Sequence, residues 1–141
     1  ALAAAIFTQR SLPLMRKKKW GRVITISSIL GKEGGGRPWF TMSKAAQIAI
    51  MKSLSKTSYL VKDNITFNTI APGAIMTENA GWEKMKKENP NEYNNFVNNL
   101  PMGKLGVPED VANLTFFLAS EEAKHINGSC ITVDGGETNS F

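Results

Sequence analysis

The chain has 141 residues, 42% of them hydrophobic, and a formal net charge of +5. This length suits one globular domain, and the basic run at 16–19 lacks the interleaved aromatic residues typical of nucleic-acid-binding proteins. No apolar stretch is long enough for a membrane span, Cys130 has no partner for an intrachain disulfide, and His125 has no neighbours spaced for a metal site. These features predict a cytoplasmic protein without a metal, a membrane partner or a nucleic-acid partner.

Helical and strand patterns alternate along the chain. They predict a helix over 1–18 with a possible kink at Pro13, a strand at 23–26, a Gly-rich loop at 31–38, a helix over 39–61, a strand at 64–71, short helices within 78–100, a helix from 108, and a strand at 130–133. Strands that alternate with helices favour a parallel sheet covered on both faces. The helix over 39–61 is apolar on two sides, so we expect the sheet and a partner helix to cover it.

Four sequence blocks occur in the order and approximate spacing of one protein family. They are 21–28 with Gly31; 43–46; Asn68 with 71–77; and 106–112 followed by 117–120, 127–128 and 133–136. Together they resemble the C-terminal part of a short-chain dehydrogenase/reductase. The resemblance implies an α/β fold, namely the C-terminal half of a doubly wound Rossmann-type fold with a parallel sheet. It also implies NAD or NADP as the cofactor.

The resemblance further implies that part of the family's fold is absent. In the family a Gly-rich turn in the first half cradles the cofactor pyrophosphate on a helix N-terminus, and no such spacing follows a strand here. We therefore expect residues 1–141 to be a single partial domain of a longer gene product, without the N-terminal cofactor-binding half; the alternative is a naturally halved protein. Residues 78–100 match the family's variable substrate lid, in which Trp82 either lines a pocket or packs.

The resemblance places a proton-transfer site at the start of the helix over 39–61. In the family a tyrosine lies one turn before a lysine, on the same helix face, and the ammonium lowers the tyrosine pKa from about 10. Lys44 matches this lysine, which also binds the nicotinamide ribose, but Phe40 stands at the tyrosine position and cannot transfer a proton. Ser28 matches the serine that polarises the substrate oxygen. Alone, Ser28 would be a turn residue and Lys44 a solvated side chain.

The segment that begins with Pro72 and Gly73 matches the family's contact with the nicotinamide end. There the backbone at Ile75 and the hydroxyl of Thr77 hold the carboxamide, although the residues alone also fit a plain Pro-Gly turn. The implied function is an NAD(P)-dependent oxidoreductase acting on a small-molecule carbonyl or alcohol. The alternative is a catalytically impaired, dinucleotide-binding or subunit-stabilising module. By the same resemblance, the helices at 1–18 and 39–61 would pair across subunits in a homodimer or homotetramer.

Overall fold

The computed structural model describes residues 1–140 as a parallel sheet with helices on both faces. The elements are α1 Leu2–Lys18, β1 Gly21–Ile26, a 3-10 turn Ile29–Gly31, α2 Pro38–Leu54, α3 Ser58–Val61, β2 Ile65–Pro72, α4 Gly81–Glu88, α5 Pro90–Asn99, α6 Pro108–Leu118 and β3 Cys130–Val133. The strand order is β1-β2-β3, and both neighbouring pairs are parallel. The predicted α/β fold with a parallel sheet is confirmed.

The central strand β2 carries the core of both layers. Phe67 packs with Val23 and Met51 beneath α1, α2 and α3, whereas Ile70 packs with Leu118 beneath α6. Side chains alternate between the two faces of a strand, so helices on both faces bury β2 along nearly its whole length. The helix α2, which carries Phe40 and Lys44, thus packs on a sheet whose central strand is buried from both sides.

The prediction of one helix over 39–61 is wrong, because the chain forms two helices, α2 and α3. At the break the Ser55 hydroxyl donates to the Lys52 carbonyl at 2.7 Å, and the Thr57 hydroxyl donates to the Ser53 carbonyl at 3.4 Å. Serine and threonine hydroxyls bind nearby backbone groups, and this competition favours a helix end. The apolar periodicity continued across the break because Leu60 on α3 also enters the core.

Pro13 lies inside α1 without ending it, since the helix runs from Leu2 to Lys18. The helix ends at Lys19 in a left-handed conformation, with φ 52°. Its last turn carries three basic residues, which suit the negative end of the helix dipole. The basic run is therefore a helix end, as the sequence predicts. Within residues 1–140 no helix is both long and apolar enough to cross a membrane.

Candidate active site

Lys44 reaches from α2 to the carboxyl end of β1. Its Nζ donates to the Ile26 carbonyl at 3.0 Å and lies 5.5 Å from the centroid of the Phe40 ring. Phe40 and Lys44 thus project from the same side of α2, as their spacing predicts. Burial lowers the pKa of Lys44. The ammonium therefore lies at the carboxyl end of a parallel strand, which is the edge where open α/β sheets generally bind ligands.

Two small residues hold α2 against this edge. The buried Ser27 hydroxyl donates to the Lys44 carbonyl at 2.9 Å. At Gly31 a Cβ would lie 2.8 Å from the Lys44 carbonyl carbon and 3.0 Å from the Ala45 nitrogen, closer than side chains tolerate. The sequence analysis missed the role of Ser27. The two-residue period of a strand places Ser27 on the same face as Val23 and Thr25, which predicts that it is buried but does not identify its partner on α2.

Ser28 follows β1 and begins the 3-10 turn. Its Oγ accepts a hydrogen bond from the Leu30 backbone nitrogen at 3.2 Å, as an N-capping side chain does. This bond uses the oxygen as an acceptor and leaves the hydroxyl hydrogen able to donate. Ser28 and the Lys44 ammonium therefore both lie where β1 ends.

The segment after β2 is hydrogen-bonded to its neighbours on both sides of Ile75. Pro72 ends the strand, and the Gly73 nitrogen donates to the Val133 carbonyl at 3.1 Å. Ile75 then forms a parallel bridge with Gly106.

In that bridge the hydrogen bonds use the neighbours of Ile75. The Met76 nitrogen donates to the Gly106 carbonyl at 2.8 Å, and the Gly106 nitrogen donates to the Ala74 carbonyl at 3.0 Å. The N–H and C=O of Ile75 itself face the other way, and they find no hydrogen-bond partner among the residues that the structure describes. One donor beside one acceptor is the complement of a primary carboxamide. The side chain of Thr77, two residues on, is partly buried.

Residues 78–100 form the helix pair α4 and α5, which confirms the predicted short helices. Trp82 stacks on Phe96, with ring centroids 4.3 Å apart and an interplanar angle of 29°. Both rings line a cleft of about 420 Å³, which Glu137 also lines. Trp82 therefore both packs and lines a pocket. Ser28, Phe40 and Lys44 do not line this cleft, so the cleft is separate from the Lys44 site.

Both tyrosines of the chain lie away from Lys44. Tyr59 is on α3, where the Arg16 guanidinium lies 4.9 Å from its ring centroid. Tyr93 is on α5, with Lys86 Nζ 5.7 Å from its ring centroid. The aromatic ring beside the Lys44 ammonium is that of Phe40, and it has no hydroxyl. Over residues 1–140 no cluster of three or more His, Cys, Asp or Glu side chains is arranged to hold a metal ion.

A family model described as enoyl-(acyl carrier protein) reductase matches residues 1–138. The chain belongs to the short-chain dehydrogenase/reductase family. A curated relative in the family, the 3-oxoacyl-[acyl-carrier-protein] reductase FabG of Aquifex aeolicus, is 39% identical over 134 residues, which cover 93% of this chain and 50% of that protein. The chain thus spans about half the length of the curated relatives it matches.

Solved structures of reductases share this fold. YwfH, described as an NADPH dependent reductase involved in bacilysin biosynthesis, superposes with a TM-score of 0.87 at 35% identity, covering 99% of this chain and 56% of its own. A tyrosine-to-phenylalanine variant of ElxO with NADPH bound superposes with a TM-score of 0.82 at 31% identity, covering 92% of this chain and 51% of its own. The predicted Rossmann-type architecture is confirmed by these family members.

Proposed function

We propose that the gene product carrying this chain is an NAD(P)-dependent oxidoreductase that moves a hydride between a nicotinamide and a small-molecule carbonyl or alcohol. The observation that carries this proposal is the position of the Lys44 ammonium at the carboxyl end of β1, on the same helix face as Phe40. The family's lysine occupies the same place relative to its tyrosine. We further propose a cytoplasmic location for the protein.

The backbone of the 72–77 segment suits the nicotinamide end of the cofactor. When bound, the nicotinamide supplies or accepts the hydride. The N–H and C=O of Ile75 can pair with its carboxamide, and the Thr77 hydroxyl can add a third hydrogen bond. The Lys44 ammonium has three donors and uses one on Ile26, which leaves two for ribose hydroxyls. YwfH is described as NADPH dependent, so NADPH is the first cofactor to test.

The substrate oxygen requires both polarisation and a proton. The Ser28 hydroxyl hydrogen can donate to a carbonyl oxygen while its Oγ stays fixed by the Leu30 amide. Phe40 cannot deliver the proton, and loss of a positioned general acid costs about 10²–10⁴-fold in rate. We propose that a water held by Lys44 and Ser28 delivers the proton less efficiently. The name of FabG suggests a 3-oxoacyl thioester as the first carbonyl probe.

A second candidate function is dinucleotide binding without turnover. It is favoured by the placement of Tyr59 and Tyr93, since neither tyrosine lies beside Lys44. It also agrees with the ElxO variant, which holds NADPH although one tyrosine is replaced by phenylalanine. Under this candidate the Ile75 backbone and Lys44 still bind the cofactor. The gene product then senses the dinucleotide or stabilises a partner subunit, and it does not reduce a substrate.

One experiment separates the two candidates. The full gene product is titrated with NADPH and NADH by fluorescence, and cofactor oxidation is then followed by absorbance with acetoacetyl-CoA and a panel of ketones and aldehydes. The oxidoreductase proposal expects saturable binding and substrate-dependent oxidation. Binding without oxidation across the panel supports the second candidate instead. Failure to bind either cofactor contradicts both.

A further inference from the structure

The residues that follow β3 fold back on themselves through carboxylate–amide hydrogen bonds. Asp134 accepts from the Gly136 nitrogen at 3.1 Å and from the Thr138 nitrogen at 3.0 Å. Glu33, in the loop after the 3-10 turn, accepts from the Asn139 nitrogen at 3.2 Å. The segment 134–140, hereafter the C-terminal tail, is therefore tied to the loop that follows Ser28.

The tail also binds the segment proposed to contact the nicotinamide. Glu137 Oε2 accepts from the Ala74 nitrogen at 2.6 Å, and Ala74 is buried. The contact is close because Gly73 has no side chain: a Cβ there would collide with this carboxylate and would lie 2.7 Å from the Asp134 Cβ. The glycine at this position thus makes room for the tail.

We propose that Glu137 is a positioning residue, which holds the Ala74 N–H from the C-terminal tail and so helps to aim the Ile75 N–H and C=O at the nicotinamide. The inference rests on the proposed function. The C=O of Ala74 and the N–H of Ile75 belong to one planar peptide, so fixing one fixes the other. Gly106 holds that C=O at 3.0 Å, and Glu137 holds the amide on the other side of Ala74. A carboxylate acceptor makes this second bond stronger than a neutral one.

The surroundings of Glu137 make the bond sensitive to pH. Burial raises the pKa of Glu137, and the Asp134 and Glu33 carboxylates raise it further, while the Ala74 N–H opposes them. Glu92, on α5, faces the same cleft. Acidification protonates Glu137 at a higher pH than an ordinary glutamate, weakens the Ala74 bond and loosens Ile75. The affinity for NADPH is therefore expected to decrease as the pH is lowered and Glu137 becomes protonated.

The effect on folding has the opposite sign. A carboxyl whose folded pKa is raised stabilises the fold below its unfolded pKa, and this contribution is lost as pH rises through the folded pKa. A merely structural role for Glu137 would move the thermal midpoint with pH and leave the NADPH affinity of the folded protein unchanged. A positioning role gives weaker binding at the lower pH, where this group no longer opposes folding.

The test compares Glu137→Ala, Glu137→Gln and the matched control Glu92→Gln, which removes a carboxylate from the same cleft. NADPH dissociation constants of the full gene product are measured from pH 5 to 8, with thermal midpoints alongside. We expect about a tenfold weaker affinity for Glu137→Ala, partial rescue with a smaller pH dependence than the wild type for Glu137→Gln, and wild-type behaviour for Glu92→Gln. The pH dependence that remains in Glu137→Gln belongs to the cofactor's 2′-phosphate, whose second pKa is about 6. Wild-type affinity in Glu137→Ala, or a pH dependence in Glu137→Gln equal to that of the wild type, overturns the inference.

A readout without cofactor separates this inference from the proposed function. Hydrogen exchange of the Ala74 amide should accelerate in Glu137→Ala and stay near wild type in Glu92→Gln, whether or not NADPH binds. A wild-type protein that fails to bind NADPH overturns the proposed function. Unchanged Ala74 exchange in Glu137→Ala overturns the positioning role independently of that result.

Discussion

The local surroundings of Lys44 combine predictable and unpredictable contacts. Phe40 lies on its face of α2 because residues four apart on a helix are neighbours, and the ring face still attracts the ammonium at 5.5 Å. The bond to the Ile26 carbonyl depends on how α2 sits against β1. Phe40 is 42% exposed, so the ring borders open space in which a substrate or water can approach.

The position of Lys44 should depend on the absence of a side chain at Gly31. In Gly31→Ala the new Cβ would meet the backbone of Lys44 and Ala45 at 2.8–3.0 Å, so the 3-10 turn and α2 must move apart. We expect this to cost about 1–3 kcal/mol of unfolding free energy, measured by urea denaturation.

Gly34→Ala is the matched control, because it makes the same change in the same loop and nothing lies within 4 Å of the added Cβ. Its unfolding free energy should stay the same or rise by up to about 1 kcal/mol, since alanine restricts the unfolded chain. Equal stability of the Gly31 and Gly34 variants would show that the close approach to α2 does not matter.

At the same scale, the family resemblance singles out residues whose position in the fold follows from the sequence blocks that contain them. Lys44 and Ser28 belong to recognisable blocks, and the structure places both at the end of β1. Ser27 and Glu137 escaped because their partners are distant in sequence: Ser27 binds a carbonyl 17 residues away, and Glu137 binds an amide 63 residues away. Contacts between residues so far apart in the sequence form only once the chain has folded, so no local pattern predicts them.

Among the elements, periodicity predicted the strands and most helices because each has one strong pattern. β2 is buried on both faces, as expected of a central parallel strand, and α6 begins at Pro108, which suits a first helical turn. The break between α2 and α3 was not predicted because the apolar pattern continues through it. At the break the hydroxyls of Ser55 and Thr57 donate to backbone carbonyls of α2, and the helix ends although the apolar pattern continues.

At the scale of the whole molecule, two apolar surfaces find no cover within residues 1–140. Phe7 on α1 is 73% exposed and Trp39 on α2 is 77% exposed, although the opposite sides of these helices pack on the sheet. The outer edge of β1 also has no strand partner in the described chain. Exposed apolar patches and free strand edges are typical of surfaces covered by further protein.

The exposed sides of α1 and α2 give a testable form of the expected subunit interface. The double variant Phe7→Glu/Trp39→Glu should shift the full gene product from dimer or tetramer toward monomer in sedimentation velocity, because two charges would be buried unpaired. The control is Phe116→Glu on α6, whose side chain is 82% exposed on another face. If only the Phe116→Glu control dissociates into monomers, or if neither variant does, the subunit interface lies on another surface.

The measurement that tests the account most directly is the rate of NADPH oxidation by the full gene product in its wild-type, Phe40→Tyr and Phe40→Leu forms. The substrate is acetoacetyl-CoA, and the NADPH dissociation constant is measured for each form. If the cofactor surface is intact and only the proton donor is missing, Phe40→Tyr should be faster by about 10²–10⁴-fold with unchanged NADPH affinity, and Phe40→Leu should gain nothing. Equal rates for Phe40→Tyr and the wild type would contradict the account.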